Sequence, residues 1–254
     1  MGRRKLVTNS KLPLSSSSQR ARNADNADES LTFNTIIENY KDWRPSYVCL
    51  SPLDSALDLP FSSDLLSVSG YHGHRMTLAT HPASTGFWYY ESVRGKGDGA
   101  IRIGWATRNA EIHASCGFDC FSFSLRDSDC SLFHQAKRYP SPLPRTLSKG
   151  DVIGCLIYQG VEVEGLKCEC VNDFNIDRIG KDSSQIMYFI NGELLNLAFV
   201  NFKITEYFPA ASLFKNVDLD FKFDYPFRFK PDIPDLNPIS SAFKPSDQPF
   251  YSIS

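Results

Sequence analysis

The sequence predicts an all-β chain, an antiparallel two-sheet β-sandwich, and three observations carry that prediction. Val217, Leu219, Phe221, Phe223 and Tyr225 alternate without a break against Asp218, Asp220, Lys222 and Asp224. Strand side chains alternate with period two, so this is a strand with one buried and one wet face. Asn191-Gly192 lies between the apolar runs QIMYFI and ELL, the strongest short-range hairpin signal a sequence offers. Aromatic residues make up 13% of the chain, with 19 Phe and 11 Tyr, and such residues suit a pleated, half-buried surface.

Residues 1–46 read as a disordered arm and a short lead-in. The arm is rich in Ser, Asn, Asp and Arg, and almost nothing apolar recurs in it. Phe33, Ile36, Ile37 and Tyr40 allow a short helical turn, which Pro45 keeps from extending. The sandwich is expected over 47–231. GFWYYESV is a strong strand with Phe87, Tyr89 and Glu91 on one side and Trp88 and Tyr90 on the other. Gly95-Lys96-Gly97-Asp98-Gly99 has the wrong glycine spacing for a phosphate loop and a strand after it, so it reads as a hairpin connection. DVIGCLIY is apolar on both faces and reads as a central strand, while the polar stretch 159–184 reads as a long surface loop. After Tyr225 come Pro226, Pro231, Pro234, Pro238, Pro245 and Pro249, a density that excludes a long helix. Residues 232–254 are expected as a Pro-rich tail, extended over the surface or mobile.

A net charge of −2 excludes wholesale, non-specific nucleic-acid binding but not a local basic groove. Arg3, Arg4, Lys5, Lys11, Arg20 and Arg22 in the arm could add a salt-sensitive DNA contact, which the acids from Asp25 to Glu29 oppose. The seven cysteines are an odd count, and no apolar run follows the N-terminus, so the thiols are expected reduced. No apolar stretch reaches membrane-spanning length, and no membrane partner is expected.

The functional candidates lie in Gly99 to Arg126. Ile101, Ile103 and Trp105 take one face of a strand and Arg102 the other. Phe121, Phe123 and Leu125 take one face of the next, with Ser122, Ser124 and Arg126 opposite. Arg102 and Arg126 suit carboxylate or phosphate, because a guanidinium binds either bidentately. The plain alternative is two solvated arginines, or arginines paired with Asp119 and Asp127; spacing by itself favours that alternative, since most surface pairs do little. Cys116, Cys120 and Cys130 with His134 do not make the two close pairs usual in structural zinc sites, so no metal is assigned. Cys116 with His113 or His134 lacks the surroundings of a nucleophile, so no catalytic residue and no cofactor are assigned. His134 is expected to tie down a turn or neighbouring strand through its ring nitrogens.

The order GFWYYES, RIGW, GFDCFSFSLR, LFHQ, KGDVIGC, IMYFINGE and YFPAASLFK resembles the SPRY domain, a two-sheet sandwich of protein-interaction modules. More narrowly, it resembles the SPRY domain of the Ash-type core subunit of trithorax/COMPASS histone methyltransferase complexes. The resemblance implies a nuclear, non-catalytic scaffold. Its groove would hold an acidic segment of the WD-repeat, retinoblastoma-binding-type subunit and so support a separate SET-domain methyltransferase. Residue by residue, the family's groove arginines match Arg102 and Arg126. Its Pro and Tyr positions are Ser115 and Phe118 here, so the implied peptide-binding set is Arg102, Ser115, Phe118 and Arg126. Asp127 and Asp129 follow Arg126 where the family carries lysines, and both are expected to weaken an acidic ligand. The family's C-terminal helix for a small Dpy-type subunit has no counterpart after Tyr225, which leaves that partner doubtful. The rival reading is another SPRY module, such as a ubiquitin-ligase substrate adaptor.

Overall fold

The structure, a computed structural model, describes residues 45–242. The arm, its possible helical turn around Phe33 and Tyr40, and residues 243–254 lie outside the described part. Alternating apolar residues generate sixteen strands within it. The first six are β1 (Leu50–Ser51), β2 (Ser67–Gly70), β3 (Arg75–Ala79), β4 (Gly86–Gly97), β5 (Ala100–Ala106) and β6 (Ser122–Arg126). The next five are β7 (Leu132–His134), β8 (Lys137–Tyr139), β9 (Val152–Gln159), β10 (Glu169–Asn172) and β11 (Ser184–Ile190). The last five are β12 (Glu193–Leu194), β13 (Leu197–Val200), β14 (Phe208–Phe214), β15 (Val217–Lys222) and β16 (Leu236–Pro238). Three short 3-10 turns, and no α-helix, accompany them among the described residues.

The strands form two sheets. One runs β1-β3-β14-β5-β6-β7-β8; the other runs β10-β13-β11-β9-β4-β15-β2, with β12 on β11 and β16 on β4. All pairings between these strands are antiparallel except that of β16 with β4. The Asn191-Gly192 turn joins β11 to β12 with both residues at positive φ, 52° and 88°, as a two-residue hairpin with right-handed strand twist requires.

The core between the sheets is aromatic. Tyr90 meets Trp105 edge-on at 5.1 Å, and Phe123 packs against Phe199 at 5.0 Å. Central strands β4, β9 and β11 are buried on both faces, as the apolar run DVIGCLIY leads one to expect. Their second face carries Tyr89, Leu156, Met187 and Phe189, and Ile233 and Leu236 cover it.

Two expectations need correction here. The stretch 159–184 is not a plain surface loop, because β10 lies within it and closes the second sheet against β13. Its alternation is short and half-exposed, as edge strands are, so the periodic signal was weak. Residues 232–242 are not a surface tail either. β15 pairs with one edge of β4 from Glu91 to Gly97, and β16 takes up pairing with β4 from Phe87 to Tyr89. Ile239 is fully buried in the main core. The returning chain is pinned by Glu91, a buried carboxylate whose Oε2 accepts the Arg228 N–H and whose Oε1 accepts the Phe229 N–H, each at 2.7 Å.

Candidate functional site

Register decides whether Arg102 and Arg126 can act together. β5 and β6 pair so that Arg102 stands directly opposite Arg126. Like charges in that position repel, by up to about 1 kcal/mol, unless something offsets them. The first offset is Phe133 on β7, beside β6 in the sheet. The Arg102 guanidinium lies 3.7 Å from the Phe133 ring centroid and that of Arg126 4.9 Å, so one negative ring face serves both cations.

The long connection 107–121 builds the wall beside them. Asp119 folds it: Oδ2 accepts the Glu111 N–H at 2.8 Å, and Oδ1 accepts the Phe121 N–H at 3.0 Å and the Ser122 hydroxyl at 2.8 Å. Serines staple the loop to the sheet. Ser124 Oγ donates to the Cys116 carbonyl at 2.7 Å, and Ser212 Oγ accepts the Cys116 N–H at 2.9 Å. Gly117 has φ 84°, and a Cβ there would come within 2.5 Å of the Phe133 carbonyl oxygen, so only glycine lets the loop approach β7 this closely. Met76, Leu78, Ala106, Phe208 and Ala210 fill the space beneath with apolar contact.

The face of Ser122, Ser124 and Arg126 is therefore covered at both serines and partly open at the arginine. Phe121, expected on the face of Phe123 and Leu125, precedes the strand and is exposed. Ser115 is buried and its Oγ accepts from Arg102 Nη1 at 2.9 Å, which orients that guanidinium. Phe118 is 54% exposed in the same loop, its N–H donating to the Ser115 carbonyl at 2.9 Å. Phe87 is on the other sheet and stacks on Tyr158 at 4.4 Å.

The two arginines differ in their acids. Among the described residues, no carboxylate lies within ion-pair distance of Arg102. Burial and the adjacent Arg126 pull its proton affinity down, though a guanidinium stays cationic. Arg126 donates Nε to Asp129 Oδ1 at 2.9 Å and Nη2 to Oδ2 at 2.6 Å. Arg138 on β8 donates to the same Oδ2 at 2.6 Å. Hydrogen bonding from Arg126 holds the Asp129 carboxyl far below the usual range.

Asp127 does not face this site, contrary to expectation. It is buried and pairs with Arg94 Nε at 3.0 Å. Strand alternation explains the split, since Asp127 follows Arg126 and turns inward. Phe133 and Arg138 were missed in the sequence. Period-two alternation puts Phe133 on the face opposite Leu132 and His134, but burial of all three leaves no amphipathic contrast to flag it. His134 does tie neighbouring strands: its Nδ1 lies 2.9 Å from the Ser122 carbonyl, and its ring stacks on Phe123 at 3.9 Å. Cys116 is fully buried, and burial pushes its thiol up to about 12, the opposite of an activated nucleophile. Among the described residues no group of three or more His, Cys, Asp or Glu is placed to hold a metal ion.

The two-sheet sandwich and the order of its motifs are matched by a known family: residues 87–159 fit the SPRY domain family. The crystal structure of the SPRY domain of human HERC1 has the same fold. Its TM-score is 0.50 at 15% identity, over 70% of this chain and 99% of that one. Within that class, the chain is homologous to Ash2-type subunits. It is 28% identical over 215 residues to the Set1/Ash2 histone methyltransferase complex subunit ASH2 of Drosophila melanogaster, covering 75% of this chain and 38% of that protein. It is 26% identical over 225 residues to the Set1/Ash2 histone methyltransferase complex subunit ash-2 of Caenorhabditis elegans, covering 76% and 39%. The Set1 complex component ash2 of Schizosaccharomyces pombe is 35% identical over 86 residues, 32% of this chain and 13% of that one. The chain thus spans under two-fifths of the length of the two animal relatives it matches.

Proposed function

We propose that this chain is a non-catalytic, nuclear subunit of a Set1/COMPASS-type histone methyltransferase complex. In this reading its SPRY groove grips an acidic segment of a WD-repeat subunit, and a separate SET-domain subunit performs the chemistry. Homology to Set1/Ash2 and Set1 complex components supports membership in such a complex.

The observation that carries the peptide reading is Arg102. It is a half-buried cation stacked on Phe133, oriented by Ser115, and with no carboxylate within ion-pair distance among the described residues. A cation held this way has already lost part of its hydration and its rotamer freedom, so a ligand carboxylate gains more from it than from a mobile surface arginine. Phe118 and Ser115 form the wall, and Arg126 contributes positive potential from the facing strand.

Calorimetric titration with the acidic peptide of the WD-repeat partner tests this. Arg102→Ala is expected to weaken binding by about 2 kcal/mol. Wild-type affinity in the variant refutes the groove. Affinity capture followed by mass spectrometry tests the assembly: SET-domain and WD-repeat proteins are expected, and ubiquitin-ligase components in their place would favour an adaptor.

A further inference from the structure

We infer that Asp129 sets the charge selectivity of the groove by occupying Arg126, so that the site takes an isolated acidic side chain in preference to a dense acidic run. This rests on the peptide-groove reading above and specifies the chemistry of its ligand.

The geometry is that of a carboxylate already bound. Asp129 Oδ1 accepts from Arg126 Nε at 2.9 Å and from the Ser131 N–H at 3.2 Å. Oδ2 accepts from Arg126 Nη2 and Arg138 Nη2, each at 2.6 Å, and from the Ser131 hydroxyl at 2.8 Å. Arg138 is held in turn by its Nε–H bond to Ser131 Oγ at 3.1 Å. A carboxylate offers about four lone-pair sites, so these donors saturate it. The fork of Arg126 that would take a ligand carboxylate bidentately is the one Asp129 fills.

Two facing guanidiniums over one phenyl ring therefore play unequal parts. Arg102 is open to a ligand acid. Arg126 carries its own acid, and a second ligand carboxylate arriving there finds the Nε–Nη2 edge already taken and the Asp129 charge directly behind it. Displacing Asp129 would break its bonds to two arginines and to Ser131, which one incoming carboxylate cannot replace in full. Like-charge contact of this kind is a means of rejecting a wrong ligand, not only of weakening all ligands.

The test uses the whole chain and two capped Ser-Gly peptides. One has a single central Glu, the other a central run of Glu. Asp129→Asn keeps an oxygen to accept the Ser131 N–H, so the turn has its local support. The variant is expected to bind the Glu-run peptide about tenfold more tightly than wild type at low salt. It is expected to bind the single-Glu peptide within about threefold of wild type. No gain for the Glu run, in a variant with a wild-type melting midpoint, overturns the inference. Should Asp129→Asn fail to fold, the wild-type background decides. Arg126→Gln is then expected to weaken the single-Glu peptide less than about threefold, whereas Arg102→Gln removes measurable binding. Equal losses overturn the inference. Binding that needs Arg102 but ignores Asp129 overturns this selectivity alone. Binding by neither peptide overturns the groove reading with it.

Discussion

The buried pair Arg94–Asp127 gives a sharp test, because it ties the two sheets together next to Arg126. Arg94 lies near the end of β4, and Asp127 directly follows Arg126. Arg94 Nε meets Asp127 Oδ2 at 3.0 Å, with side-chain exposures of 10% and 4%, and Arg94 Nη2 also donates to the Gly99 carbonyl at 2.9 Å. Asp127 Oδ1 is buried without a side-chain partner among the described residues, and Arg94 is the cation that compensates the carboxylate, alongside the Ile101 backbone. Arg94→Met keeps much of the aliphatic volume and removes the charge. The loss of one partner from a buried pair costs about 3–5 kcal/mol, whereas an exposed pair is worth about 0–1 kcal/mol. Exposure places this pair in the first class, and we expect a loss of about 3 kcal/mol in urea unfolding at neutral pH. Burial already pushes the Asp127 carboxyl up against the pull of Arg94. Without Arg94 it rises further, so the folded state then binds a proton more readily than the unfolded chain. The deficit should accordingly shrink as pH falls through that raised value and grow as pH rises through it. Arg94→Met with Asp127→Leu should recover most of the loss, since an apolar pair leaves no orphaned charge. A deficit below about 1 kcal/mol with no pH dependence would show that the pair is solvated and that the reasoning from burial is wrong.

Two further predictions concern the supports of the groove and the closure of the fold. Burial holds the His134 imidazole below its usual value of 6.5, and His74 is held low by burial and by Arg102. Both bind a proton less readily folded than unfolded, so their stability contribution is full above about pH 6.5 and is lost as pH falls through the folded values. Urea midpoints measured between about pH 7 and about pH 5 should decline, and His134→Phe should flatten part of that slope. Ile239→Ala should destabilise by about 3 kcal/mol, because the side chain is fully buried in the main core; a surface-like cost under about 0.5 kcal/mol would place that segment outside the fold.

Local pattern was enough for much of the scaffold. The alternation from Val217 to Lys222, the doubly apolar run at Val152 and the Asn191-Gly192 turn each act between near neighbours in the chain, so they can be read without knowing what packs where; the strand ends at Lys222, and Tyr225, expected on the buried face, is exposed. The same holds for the faces of Arg102 and Arg126, which follow from period two. What pairs with what could not be read that way. Opposition of Arg102 to Arg126 is a matter of register, and Phe133 beneath both is a matter of strand order. The fates of the two neighbouring acids show the difference most plainly. Asp127 and Asp129 look equivalent in the sequence, yet one is drawn inward to Arg94 from the other sheet and the other closes on Arg126 and Arg138. The burial of Ser122 and Ser124 under the 107–121 loop, and the return of residues 232–242 along β4, likewise depend on contacts far apart in the chain. Residue type and spacing determined which side chains were charged and which face of a strand they took. Only tertiary packing decided which arginine was paired with an acid and which was not, because neutralisation depends on distances in space that chain separation does not set.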